Sequence, residues 1–143
     1  MAMLNPPYLN FNGNCEEAFN FYKSVIGGEF LGIMRYKDEP SGQPFSDDEA
    51  NKIINISLPV GQGGSLMGSD VPPAFGTATI GTNVYVSINA ESEEEAAKLF
   101  NGLLAGGQVM MPLDKTFWAA SFGMLTDKFG VQWMVSYTYD QQP

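Results

Sequence analysis

The chain has 143 residues, with 16 acidic and 7 basic side chains, a formal charge of -9 and no histidine. This length suits one compact domain, or two small modules that share a core, and it excludes a multidomain enzyme. The missing histidine excludes Ser-His-Asp and Cys-His nucleophiles, histidine general bases and histidine-ligated metals. The acidic balance disfavours nucleic acid as a partner, because phosphate binding needs clustered Lys and Arg and the only arginine is Arg35.

The composition also predicts where the protein is found. No apolar run approaches the roughly 18 residues of a membrane span, and the N-terminus lacks the basic and apolar segments of a secretory signal. Cys15 is the only cysteine, so no internal disulfide can form, which fits a reducing compartment. We therefore expect a cytoplasmic protein with no membrane partner and no nucleic-acid partner.

The first half of the chain predicts one strand, one helix and three further strands. The helix follows a strand at Tyr8–Phe11, begins after an N-cap at Asn14 and stops at the glycine pair 27–28. Its apolar residues recur at helical spacing: Ala18, Phe21, Tyr22 and Val25. The later strands are expected at 30–36, 52–58 and 65–69. Residues 37–51, rich in Pro, Gly, Ser and acids, are predicted to form a loop.

The second half repeats this order. A strand at 83–88 precedes a helix that begins after Ser92 and stops at the glycine pair 106–107, and strands follow at 108–111, 116–125 and 131–137. The helix has its own apolar stripe: Ala96, Leu99, Phe100 and Leu103. Segments 16–28 and 94–106 both open on acidic residues, continue with apolar residues at helical spacing and end on glycine. The chain is therefore predicted to be an α+β protein of two βαβββ modules, about 5–70 and 82–140, joined by a linker at 71–81.

Short motifs in this order resemble the vicinal oxygen chelate superfamily, which includes glyoxalase I, extradiol dioxygenases and the bleomycin- and fosfomycin-resistance proteins. The similarity is greatest to its PhnB-like branch. The segments that carry it span nearly the whole chain: 7–14 (PYLNFNGN), 16–18 (EEA), 21–22 (FY), 66–70 (LMGSD), 116–118 (TFW), 122–123 (FG) and 127–133 (DKFGVQW). The resemblance implies a curled mixed sheet around a central cavity, commonly completed as a homodimer.

The resemblance also identifies where metal-dependent members hold their ion. Carried over to this chain, the four ligand positions are occupied by Pro7, Met67, Tyr85 and Met134. None offers the imidazole or carboxylate donors that Zn, Ni, Mg, Mn or Fe prefer. Two methionines could bind Cu(I), but buried methionine is more typical of core filling. We predict no metal and no cofactor, and a methyltransferase label on such relatives gains no support, since no glycine-rich strand-to-helix turn for a nucleotide cofactor is present.

Strand alternation then predicts which side chains line the cavity. The candidates are mainly apolar and aromatic: Met67, Asp70, Tyr85, Met111, Phe117, Trp118 and Met134. Such a lining is typical of a small-molecule pocket, although the same side chains could simply fill the interior. Trp118 is the residue expected to stack on a ligand, and Asp70 is the most suggestive carboxylate.

Three hypotheses for function follow. The first is a metal-free, homodimeric protein that binds a small apolar or aromatic molecule, neutral or cationic because the chain is acidic. The second is a metal-independent isomerase or lyase that uses Asp70, Tyr85 or Tyr36 as acid or base. The third is a degenerate module with no ligand. Metal-dependent glyoxalase or dioxygenase activity is not expected, and no catalytic residue is assigned.

Overall fold

The structure is a computed structural model that describes residues 1–40 and 45–138. It divides the chain into two compact units, Met1–Thr79 and Ile80–Pro143. Each unit contains one four-stranded mixed sheet and one long helix. Two βαβββ units therefore confirm the α+β fold that the sequence predicts.

The first unit has its strands in the order β1-β4-β3-β2. Their bounds are Tyr8–Phe11 (β1), Gly32–Arg35 (β2), Ile53–Val60 (β3) and Gly64–Asp70 (β4). β1 runs parallel to β4, while the other neighbours are antiparallel. The long helix α1, Cys15–Ile26, lies between β1 and β2 in the chain and packs on β3 and β4.

The buried face of α1 differs from the predicted stripe. The fully buried residues are Cys15, Ala18, Phe19 and Tyr22, whereas Phe21 and Val25 are only half-buried. The reason lies in β4, where a Cβ on Gly68 would stand 2.7 Å from the Phe19 ring. The missing side chain at Gly68 leaves room for that ring, so Phe19 lies against the sheet where the stripe predicted Phe21.

The segment predicted as the loop 37–51 contains two short helices. A 3₁₀ helix covers Tyr36–Asp38, and a one-turn helix α2 covers Asp47–Ala50. The Ser46 hydroxyl accepts a hydrogen bond from the Glu49 amide at 3.2 Å, and three acids occupy the positive first turn. The polar residues that predicted a loop therefore include the capped N-terminus of α2. Residues 41–44 lie outside the described part of the chain.

The second unit has the strand order β5-β8-β7-β6. Its elements are β5 (Val86–Asn89), α3 (Glu93–Leu104), β6 (Gln108–Asp114), β7 (Ala119–Thr126) and β8 (Gln132–Thr138). The predicted stripe of α3 is confirmed in full, since its buried residues are Ala96, Leu99, Phe100 and Leu103. The predicted cap is confirmed as well, because the Ser92 side chain accepts from the Glu95 amide at 3.0 Å.

Strand β6 is longer than predicted and irregular. It continues through Pro112 to Asp114, and its register to β7 shifts twice, between Val109 and Met111 and again before Asp114. β6 is an edge strand, where proline and bulges are tolerated because one side of the strand needs no hydrogen-bond partner. These shifts decide which β6 side chains lie on the same face of the sheet as a given β7 side chain.

Candidate functional site

The face of the second sheet opposite α3 carries a row of methionines. In β7, a Cβ on Gly123 would meet the Phe100 ring of α3 at 2.7 Å, so Gly123 faces the helix and its neighbour Met124 faces away. Met124 is in register with Met134 of β8 on one side and with Met111 of β6 on the other. The three side chains therefore lie side by side across three strands, and we name Met111, Met124 and Met134 the methionine row.

Aromatic side chains stand beside this row. Phe122 lies two residues before Met124 on the same face of β7 and is 8% exposed. Its ring meets Trp118 edge to face with 5.4 Å between centroids, and Trp118 meets Phe117 at 4.8 Å. Trp118 remains 46% exposed and Phe117 92% exposed, so the cluster runs from the sheet out to solvent.

The turn that presents these aromatics is tied by its own hydrogen bonds. The Thr116 amide donates to the Ala119 carbonyl at 3.0 Å, and the Ala119 amide donates to the Thr116 hydroxyl at 3.1 Å. Phe117 and Trp118 occupy the two positions between them. A bonded two-residue tip holds both rings outward at the start of β7.

The structure places five of the predicted pocket residues in the second unit, and it groups four of them, while Tyr85 precedes β5. Met111 and Met134 belong to the methionine row, and Phe117 and Trp118 form the adjoining aromatic cluster. Sequence reasoning missed Met124, which joins the two predicted methionines, and it missed Phe122. Alternation along β7 was the available signal, because it places residues 122 and 124 on one face.

Asp70, predicted to face a ligand, is 2% exposed and is held by the backbone. Its Oδ1 accepts hydrogen bonds from the amides of Gly13 at 3.0 Å and Cys15 at 2.9 Å, and its Oδ2 accepts from the Ile53 amide at 2.9 Å. Asn14 occupies the N-cap position of α1, yet its side chain makes no capping bond. The carboxylate of Asp70 caps the helix instead, which is a structural role.

Two groups near Asp70, the candidate acid–base residue Tyr36 and the thiol of Cys15, keep their protons near neutral pH. The Tyr36 hydroxyl donates to the Asp70 carbonyl at 2.7 Å, and burial together with the nearby Asp70 carboxylate raises the pKa of Tyr36. Cys15 is fully buried, and burial is the main cause that raises the pKa of its thiol, with Asp70 and Glu16 adding to it. A group that holds its proton so firmly does not serve as a base.

Met67 and Met134 hold equivalent positions in the two sheets. In the first sheet the Ser69 hydroxyl donates to Asn10 Oδ1 at 3.2 Å, and in the second the Ser136 hydroxyl donates to Asn89 Oδ1 at the same distance. This repeated pair fixes the correspondence between the units. Met67 lies two residues before Ser69, just as Met134 lies two residues before Ser136.

The same correspondence between the units changes the predicted counterpart of Pro7 from Tyr85 to Val86. Pro7 lies three residues before Asn10, and the residue three before Asn89 is Val86, so Tyr85 is displaced by one position. Pro7 precedes β1 and its carbonyl accepts from the Met67 amide at 3.1 Å. Tyr85 precedes β5 and is half-buried. Whether Tyr85 or Val86 is the counterpart of Pro7, the predicted ligand position at the first strand of the second unit has neither a carboxylate nor an imidazole.

The side chains at the four positions that the resemblance predicts for metal ligands do not fit a hard divalent ion. Two are thioethers, one is proline, and the fourth is tyrosine or, by register, the hydrocarbon Val86. Hard cations take carboxylate, carbonyl and water oxygens, and borderline ions take imidazole or thiolate. Within residues 1–40 and 45–138 no three His, Cys, Asp or Glu side chains are grouped as a metal site would need.

The first unit contains a separate polar cleft of about 440 Å³ near the N-terminus of α1. Its lining includes Glu16, Asp47, Asp48, Lys52 and Asp70. Lys52 donates to the Gly13 carbonyl at 3.0 Å, and the guanidinium of Arg35 binds both carboxylate oxygens of Glu16, at 2.9 and 2.7 Å. Of the charged lining groups, Glu16 is thus paired with Arg35, while Lys52 and Asp70 are bound to the backbone.

Comparison with known proteins identifies the family. A family model described as 3-demethylubiquinone-9 3-methyltransferase matches residues 4–136. The chain belongs to this family. It is 34% identical over 149 residues to protein YjdN of Escherichia coli (strain K12), with 96% of each chain covered.

Solved structures of this PhnB-like family have the same fold. Protein PA1353 from Pseudomonas aeruginosa shares 45% identity at a TM-score of 0.84, over 97% of this chain and 100% of that one. A putative 3-demethylubiquinone-9 3-methyltransferase, PhnB protein, from Bacillus cereus shares 29% identity at a TM-score of 0.70, over 96% and 100%. The fosfomycin resistance protein FosX from Listeria monocytogenes, at 9% identity and a TM-score of 0.63 over 95% of this chain and 92% of that one, shares the fold alone. The glyoxalase-type fold expected from the motifs is thereby confirmed.

Within the described part of this PhnB-like chain, no helix is both long enough and apolar enough to cross a bilayer.

Proposed function

We propose that this PhnB-like protein binds a small apolar or aromatic molecule on the methionine row, without a metal, and works as a homodimer. The observation that carries the proposal is that Phe122, on the face of the methionine row, packs against Trp118, a residue that is 46% exposed. Small-molecule sites are mainly apolar surfaces with few polar groups. A row of flexible thioethers next to an accessible indole fits that description.

The metal-free part of the proposal is supported by the chemistry of the donor positions. The thioethers of Met67 and Met134 bind Zn, Mn or Ni weakly, because these ions prefer nitrogen, thiolate and oxygen donors. The side chain of Val86 has no donor atom. We expect purified protein to contain less than about one tenth of an equivalent of these metals, measured by elemental spectroscopy. Stoichiometric metal that survives dialysis against a chelator would overturn this part.

The competing enzymatic hypothesis is less well supported. It depends on Asp70, Tyr85 or Tyr36 as acid or base, but the carboxylate of Asp70 accepts three backbone amides and the pKa of Tyr36 is raised by burial. Both groups serve the packing of α1 against its sheet. Binding without turnover is therefore the function that we propose.

The homodimer is supported by exposed apolar side chains on the edge strands. β2 exposes Ile33 and Met34, and β6 exposes Val109 and Met110, each by two fifths or more. Bulges in both strands hinder the addition of a further strand, so contact through side chains is favoured over sheet extension. Sedimentation equilibrium should give a mass of twice 15.6 kDa, and a monomer at micromolar concentration would contradict the dimer.

The binding proposal is tested with the neutral fluorescent probe N-phenyl-1-naphthylamine. We expect saturable binding, and a Trp118→Ala variant should weaken it about tenfold, as loss of an aromatic anchor does. The matched control is Phe75→Ala, which removes an aromatic ring that is 81% exposed in the other unit. Absence of saturable binding, or equal losses in both variants, would overturn the proposal.

A further inference from the structure

The geometry of the methionine row points to a specific ligand class: we infer that the ligand is a neutral, planar aromatic ring system whose edge contacts the three thioethers. This inference rests on the proposed binding function and narrows it. An aliphatic molecule of equal size would gain the same hydrophobic burial but would lose the sulfur–aromatic contacts.

The spacing of the row suits such a ring system. Met124 is directly in register with Met134 and with Met111, and directly opposed residues on neighbouring strands have Cβ atoms about 4.5–5.5 Å apart. The three side chains therefore span about 10 Å across the sheet. That span matches the edge of one or two fused aromatic rings better than it matches a compact aliphatic group.

The residue type is as informative as the spacing. Eight methionines occur in the whole chain, and three of them stand in this single row. Leucine would fill the same volume and bury similar apolar area, so hydrophobicity alone does not explain the choice. A thioether is polarizable and lies favourably at the edge of an aromatic ring, about 5 Å from its centre.

The aromatic cluster supplies the complementary contact. Trp118 uses one edge-to-face contact on Phe122 and keeps 46% of its surface exposed. A ligand ring could therefore meet the indole while its edge meets the methionines. Phe122 holds the indole in place, which makes it a positioning residue for the stacking group.

The charges on and around the methionine row favour a neutral ring over an anionic one. The row and its neighbours Phe122 and Trp118 contain no ionisable side chain. At the end of β6, Asp114 is in register with Phe122, so the charged group aligned with the aromatic cluster is a carboxylate, which disfavours an anion. The overall charge of -9 repels anions.

The test compares an aromatic molecule with its saturated counterpart on wild-type protein and on a triple variant. The variant is Met111→Leu, Met124→Leu and Met134→Leu, which conserves volume and apolarity. The probes are 2-naphthol and decahydro-2-naphthol, each displacing N-phenyl-1-naphthylamine. Wild type should prefer 2-naphthol by about tenfold, and the triple variant should lower this preference to about threefold or less, with affinity for the saturated alcohol within about twofold of wild type.

A matched control is Met110→Leu, which changes the methionine in the β6 bulge outside the row. It should leave the preference unchanged, and a thermal melt of each variant verifies that it is folded. An unchanged preference in the folded triple variant, or equal affinity of wild type for both alcohols, would overturn the inference while the proposed function stands. If neither the probe nor the alcohols bind, the proposed function fails and the inference fails with it.

Discussion

Asp70 shows at the residue scale how one carboxylate can organise a whole unit. It lies at the end of β4 and accepts the amides of Gly13, Cys15 and Ile53. The Cys15 amide is the first of α1, the Gly13 amide lies just before the helix, and the Ile53 amide begins β3. Because the first amides of a helix have no partner within it, this buried carboxylate satisfies the helix start and joins it to the sheet.

The role of Asp70 predicts a loss of stability in Asp70→Asn. The variant amide offers one carbonyl oxygen where three backbone donors need two acceptor atoms, so at least one buried donor is left without a partner. We expect the free energy of unfolding to fall by about 2–4 kcal/mol, measured by urea denaturation. Asp114→Asn, an exposed carboxylate, is the control and should change stability by less than about 0.5 kcal/mol; equal stability of both variants would contradict the capping role.

A second residue-scale prediction concerns pH. Hydrogen bonding to the Arg35 guanidinium lowers the pKa of Glu16 below its ordinary value of 4.5. A carboxyl with a lowered pKa in the folded state stabilises the protein above its unfolded pKa, and this stability is lost as pH falls through the folded pKa. Since the Glu16 side chain is 47% exposed, the gain is below about 1 kcal/mol.

The measurement compares melting temperatures of wild type and Glu16→Gln at pH 7 and at pH 3. Wild type should melt higher at pH 7, and the difference should shrink toward pH 3, as pH falls toward and through the lowered pKa of Glu16. Glu17→Gln is the matched exposed carboxylate and should show a smaller difference at pH 7. A wild-type advantage that is the same at both pH values would contradict the ion-pair explanation.

At the element scale, each sheet has a glycine that makes room for an aromatic ring of the helix packed on it. Gly68 in β4 makes room for the Phe19 ring, and Gly123 in β7 makes room for the Phe100 ring. In each case the glycine lies in a central strand beneath a helix aromatic. Helix and sheet can approach closely because no Cβ separates them.

This close approach predicts that Gly123→Ala is destabilising. Its Cβ would lie 2.7 Å from Phe100 Cε2 and 2.9 Å from the Leu113 Cα, so both the ring and the backbone of β6 would have to move. Overpacking of this kind costs about 1–3 kcal/mol, measured as a lower free energy of unfolding. Gly32→Ala is the control, because a Cβ there meets nothing within 4 Å; a Gly123→Ala variant as stable as this control would contradict the packing argument.

The element scale also shows where sequence patterns were sufficient. The stripe of α3 was predicted residue for residue, because four apolar positions at helical spacing face one sheet. The stripe of α1 was predicted correctly at Ala18 and Tyr22 but included Phe21 in place of Phe19. Both are aromatic, and helical periodicity alone does not show which of the two faces the sheet. The glycine opposite Phe19 makes that choice, and it lies 49 positions further along the chain (Phe19 to Gly68).

At the scale of the whole molecule, the charge of -9 bears on which ligands reach the site. A strongly acidic protein repels anions over the screening length, which is about 10 Å at 0.1 M salt and about 3 Å at 1 M. The methionine row itself carries no charge. Discrimination against anions should therefore arise from the molecule as a whole and depend on ionic strength.

This leads to a prediction about salt. The anion 2-naphthoate should bind more weakly than neutral 2-naphthol at about 0.02 M salt, and the ratio of the two dissociation constants should fall severalfold at about 0.5 M. Competition with N-phenyl-1-naphthylamine measures both. A ratio that is independent of salt would show that local contacts, and not overall charge, disfavour the anion.

The sequence by itself determined the two βαβββ modules and the identity of the superfamily. These follow from local periodicity and from short motifs, which do not require knowledge of distant contacts. Tertiary structure decided that Asp70 is a helix cap, that Val86 is the counterpart of Pro7, and that Met124 joins Met111 and Met134 into one row. Each of these depends on the register between strands, which two bulges in β6 and the pairing of distant segments set, and which alternation along a single strand does not contain.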